Sequence, residues 1–142
     1  MTSTSSTFAP WPGLALLVLR LALGITMLAH GCQKLFVFGF GGVSSSFGKM
    51  GIPMPGVMGP LIGLLEFFGG IALIIGLLSR LAAFGLTFDM LGALSLVHLQ
   101  NGFFMPKGFE LVFVLMGMSL AVAIAGAGDL SVDALIARRR RS

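Results

Sequence analysis

Few residues in this chain can do chemistry, and most of them interrupt apolar runs. The stretch LAHGCQKLF, Leu28–Phe36, places a histidine, a cysteine, a glutamine and a lysine where a membrane span should stay apolar. Further along, Glu66 interrupts LLEFF, Asp89 interrupts TFDML, His98 and Asn101 stand in LVHLQNG, and Glu110 follows KGF. Imidazoles relay protons, carboxylates accept them, and an ammonium stabilises an anion. Three chemistries compete for LAHGCQKLF: a lipoprotein cleavage site, a metal or redox site, and the polar lining of a membrane-buried pocket.

The first two fare poorly. A signal peptide wants a basic start, a short apolar core and small residues before the cut. Nothing before Arg20 is basic, Arg20 interrupts the core, and His30 takes a place that should be small. The single cysteine, Cys32, rules out an internal disulfide and a dithiol pair. Cys32 also lies about 160° around a helix from His30, at about 100° per residue, so the two do not readily chelate one ion. The spacing of the histidines and glutamates matches no standard ligand motif. No metal is expected.

These residues must be positioned by a membrane fold. Of 142 residues, 56% are hydrophobic and only 10% are charged, against about 25% charged in soluble domains; mean hydropathy is +1.03. Backbone groups in lipid must pair internally, so the apolar runs are helices, and the alternation of barrel strands is missing. The reading is all-α, a four-helix transmembrane bundle. Its spans run over 14–38, 60–78, 81–100 and 109–125, each near the length that crosses a bilayer. Between the first two spans, Val43, Phe47 and Met50 recur at helical spacing opposite three serines, which predicts a short outer interfacial helix. The tail is amphipathic and basic, with Ser131 as its helix cap. The organisation expected is an N-terminal tail (1–13), the bundle (14–127) and the tail (128–142).

Net charge is +4, carried by Arg138, Arg139, Arg140 and Arg141. Such a cluster beside a span is a cytoplasmic signal rather than a nucleic-acid surface, and Arg80 in the turn between spans two and three agrees with it. Both termini are therefore expected in the cytoplasm. Depth then follows from the helical rise. His30, Lys34, Glu66, His98, Asn101 and Glu110 fall near the outer leaflet, as the lining of one polar pocket or as a clamp between helices. Arg20 and Asp89 both fall deeper and toward the cytoplasm, where an ion pair between them is the economical arrangement.

RLALGITMLAHGCQKLF, GLLEFFGGIALIIGLLSRLAA and LVHLQNGFF…KGFE resemble the DoxX family of small bacterial membrane proteins. The likeness covers about 17–133 and implies a four-helix inner-membrane protein. It also marks Arg20, His30, Lys34, Glu66, Arg80, His98, Asn101 and Glu110 as the family's recurrent polar residues. The family takes its name from a subunit of a thiosulfate:quinone oxidoreductase, which implies redox or quinone-stress work. No haem or flavin motif accompanies it, so whether the chain is itself an enzyme stays open.

The function expected is an inner-membrane component of a redox or oxidative and quinone stress system, with an outer-leaflet pocket for a small ligand or quinone. The alternative is a non-enzymatic adaptor or assembly factor that recruits a partner protein. Partners expected are the lipid bilayer, a redox protein and further copies of the chain, with no nucleic acid.

Overall fold

The computed structural model describes residues 11–141, so most of the expected N-terminal tail lies outside the described residues. Helix α1 runs over Pro12–Cys32 and continues through a wide π-type segment, Gln33–Phe38, into α2, Gly39–Lys49. Helix α3 is Pro55–Ile75 and α4 is Ser79–Ala93, extended by a second wide segment, Leu94–His98, and a tight turn, Leu99–Asn101. Helix α5 is Glu110–Ala125, and α6 is Val132–Arg139. The chain is all-α. Three of its helical runs are long and apolar enough to cross a membrane, and α5 is a shorter apolar helix.

Local chemistry sets the boundaries. Pro12 and Pro55 open α1 and α3, where a missing N–H costs nothing. Gly76, at φ +74°, ends α3 in the left-handed region. Ser131 caps α6 as expected, its Oγ accepting from the Ala134 N–H at 3.1 Å. One boundary moves: α3 starts at Pro55 rather than Pro60, with Pro60 inside its second turn. Its lost backbone bond falls near the helix end, where the cost is smallest.

Glycine sets how closely the helices approach. A Cβ at Gly70 would lie 2.5 Å from the Leu28 nitrogen, and one at Gly24 would lie 2.9 Å from the Gly70 oxygen. Lipid tails are as apolar as leucine, so the hydrophobic effect does not drive span association. Small residues that let backbones touch do so instead, and α1 lies antiparallel on α3 along this seam. A compact core of Leu23, Met27, Leu73, Leu86, Met90, Leu115 and Val122 joins that pair to α4 and α5. Phe68, Phe84 and Phe88 point outward. The loop helix α2 lies along the first turns of α3, with Val43 buried and Gly59 against Ser44.

The antiparallel order gives the bundle two ends. At the terminal end, Gly13 meets Asp129, Arg80 lies against Gly126, and Ser131 packs on Gly76. At the loop end lie the α2–α3 turn and the segment between Asn101 and Glu110.

Candidate functional site

Lys34, on the wide segment after α1, donates from Nζ to Glu66 Oε2 at 2.6 Å. Glu66 sits in mid-α3, its side chain 4% exposed against 18% for Lys34. Asp89 of α4 faces this pair electrostatically. It is buried, with Oδ2 lacking a hydrogen-bond partner. Lys34 and Glu66 therefore form an ion pair in the interior, with the Asp89 carboxyl near it.

The expected Arg20–Asp89 ion pair is not formed. Arg20, fully buried, donates from Nη1 to the Leu73 carbonyl at 2.9 Å and from Nη2 to the Leu130 carbonyl at 2.5 Å. The carboxylate that acts on it is Asp133. Helix ends that are not level explain the error. Glu66 lies nine residues before the end of α3 and Asp89 ten residues after the start of α4, so both stand about 14–15 Å from the connecting turn. The first turns of α1 project past that turn to Asp129, which brings Arg20 to the turn rather than to mid-bundle.

Beside the Lys34–Glu66 pair opens a cavity of about 240 Å³. His30, Lys34, Glu66 and His98 line it with Met27, Met90, Met105, Pro106, Leu111, Val112 and Leu115. Four of the six residues expected in a common pocket thus meet there. Lys34 and His98 both stand on π-type segments, whose extra width re-aims side chains and often accompanies function. Nothing in a single sequence announces such a segment. Cys32 is half-buried and does not line the cavity.

The other two expected residues, Asn101 and Glu110, do not line the cavity. Asn101 Nδ2 donates to the Val97 carbonyl of its own helix, and Glu110 Oε1 accepts from the Met105 N–H, each at 3.0 Å. The loop is further closed by Phe109 N–H to the Gly102 carbonyl and Glu110 N–H to the Phe103 carbonyl. Its residues Met105, Pro106 and Gly108 roof the cavity. His98 joins roof to wall, with Nδ1 3.0 Å from the Lys107 carbonyl oxygen.

A larger, open groove of about 490 Å³ lies at the terminal end, between the start of α4 and the α5–α6 connection. Of its polar side chains, Asp133 and Ser131 are hydrogen-bonded, while Ser79 Oγ is buried without a partner. Asp133 accepts from the Leu78 and Ser79 N–H groups at 2.8 and 3.0 Å, capping α4, and its own N–H donates to Gly76. Arg138 lies 3.9 Å from Asp129 at the exposed surface. The smaller cavity gathers more titratable side chains, His30, Lys34, Glu66 and His98 against Arg80 and Asp133 at the groove.

Known proteins share this arrangement of sequence. The chain is 34% identical over 128 residues to inner membrane protein YqjF of Escherichia coli, covering 87% of this chain and 92% of that one. It is 32% identical over 120 residues to membrane protein Rv3486 of Mycobacterium tuberculosis, covering 77% and 73%. It is 27% identical over 126 residues to "Putative oxidoreductase CatD" of Bacillus subtilis, covering 89% and 90%. No solved structure matches. The DoxX family matches residues 15–99, the span that carries Lys34, Glu66, Asp89 and His98, and the chain belongs to that family.

Proposed function

We propose that this protein is an inner-membrane component of a redox or oxidative and quinone stress system, and that its loop-end cavity binds a small ligand in the outer leaflet. The observation that supports this best is the convergence of His30, Lys34, Glu66 and His98 on one cavity roofed by a loop. Polar and ionisable groups inside a membrane protein are costly, and a cavity beside them gives them something to act on. In this reading Lys34 stabilises an anionic or carbonyl oxygen, Glu66 holds Lys34, and the histidines relay protons. The relative named an oxidoreductase supports the redox setting. A quinone headgroup fits by size, because a dry cavity of about 150 Å³ already admits benzene, while an isoprenoid tail would have to run out into lipid.

The reading also places the arginine tail and Arg80 in the cytoplasm, following the basic-residue asymmetry of membrane loops. A reporter active only outside the cytoplasm, fused after Ser142, should then stay silent. The ligand itself is sought by purifying the chain in mild detergent and applying lipid mass spectrometry and proteomics to the same sample. A small molecule retained by the parent chain and lost in His30→Leu supports the pocket. Retention of a partner protein alone, unaffected by His30→Leu, would favour the adaptor instead.

A further inference from the structure

The hydrogen bond between His98 and the cavity roof has a direction. Nδ1 lies 3.0 Å from the Lys107 carbonyl oxygen. A carbonyl oxygen only accepts, so the ring proton sits on Nδ1 and is committed to the loop. Uncharged His98 then keeps a bare lone pair on Nε2, the one ring nitrogen left for a ligand. It accepts and cannot donate. Lys34 has the opposite character, because an ammonium has three N–H groups and no lone pair, and Glu66 Oε2 occupies one of them. The cavity therefore carries an acceptor at His98, beneath the roof, and a donor at Lys34, on the wall.

Apart from His30 and Glu66, the rest of the lining is apolar and rich in sulfur: Met27, Met90 and Met105 all reach it. Thioethers make favourable contacts with aromatic rings. The volume of about 240 Å³ suits one substituted ring or a fused pair.

We infer that the cavity selects a small aromatic molecule bearing a hydroxyl on the His98 side and a carbonyl or other acceptor oxygen on the Lys34 side. The inference rests on the ligand-pocket reading above and deepens it by fixing the polarity of recognition. A bare carbonyl finds a partner at Lys34 but none at uncharged His98. A hydroxyl satisfies Nε2, and its replacement by an ether leaves that lone pair unmatched by the ligand.

The test uses the full chain in lipid nanodiscs and a matched pair of probes, 4-hydroxyacetophenone and 4-methoxyacetophenone. Both carry the same ring and carbonyl, and empty nanodiscs correct for partition into lipid. The unmodified protein should bind the hydroxyl compound about tenfold more tightly than the ether, the worth of one buried hydrogen bond. His98→Asn keeps an N–H for the Lys107 carbonyl but loses the acceptor at Nε2. It should bring the ratio to about one. His98→Gln, whose longer amide returns an oxygen toward that position, should restore part of the preference. Equal binding of both probes by the unmodified chain would overturn the inference and leave the pocket standing. Full preference retained in His98→Asn would also overturn it. Binding of neither probe would count against the inference and the pocket together.

Discussion

The two ends of the bundle each bury charge, and they do it in opposite ways. At the terminal end, Arg20 is enclosed completely and donates from Nη1 and Nη2 to the Leu73 and Leu130 carbonyls, with Nε left unpartnered, tying α1 to the end of α3 and to the approach to α6. At the loop end, Lys34, Glu66 and Asp89 face one another as side chains from three different elements, beside a cavity. A guanidinium bonded to backbone carbonyls is fixed, because its partners cannot turn away. Side chains facing a cavity keep the freedom to exchange partners. Burial alone therefore does not separate the two ends; the kind of partner does.

The largest effect expected is at the fixed end. Arg20→Leu removes two charge-assisted hydrogen bonds and strands two carbonyls, a loss of about 3–5 kcal/mol, to be read as a lower midpoint in denaturation of the detergent-solubilised chain. Because Arg20 and Asp89 do not meet, the loss in the Arg20→Leu/Asp89→Asn double variant should be the sum of the single losses. Partial recovery in the double variant would restore the ion pair that the structure lacks. At the cavity, Lys34→Met should cost less, about 1–3 kcal/mol, since Lys34 keeps some contact with solvent. A double-mutant cycle with Glu66→Gln should show coupling, in contrast to the additive Arg20 pair.

The contrast between the ends was only partly legible in the sequence. Apolar runs and proline or glycine punctuation predict the four long helices well, because helices in lipid must be complete. Glu66 and Lys34 were also readable, since each interrupts a run that should exclude it. Asp89 was assigned to the wrong partner because depth was counted from estimated helix ends, and those ends are not level. With α3 ending at Ile75 rather than Leu78 and α4 starting at Ser79 rather than Leu81, Glu66 and Asp89 come level, nine and ten residues from their shared turn. Asn101 and Glu110 looked like pocket residues, but Asn101 bonds back to its own helix and Glu110 holds the roof through the Met105 N–H, which no side-chain pattern reveals. The wide segments that carry Lys34 and His98 left no trace in hydropathy.

Smaller effects refine the comparison. Asp133→Ala removes the carboxylate that caps α4, worth about 1 kcal/mol; amide hydrogen exchange should rise at Leu78 and Ser79 and stay unchanged around the cavity. Cys32→Ser should be nearly silent, within about 0.5 kcal/mol, with expression and ligand retention intact. A large loss of function from Cys32→Ser would move the chemistry to the thiol.

The account stands on the cavity being a binding site, while the Arg20 region is only structural. The most direct test is native mass spectrometry of the chain released from its membrane in mild detergent, compared with Leu115→Trp, which fills the cavity from its apolar wall. The account predicts a bound small molecule on the parent chain and its absence from the filled variant, with the variant still folded by circular dichroism. Identical spectra, with the same adduct on both chains or on neither, would contradict it.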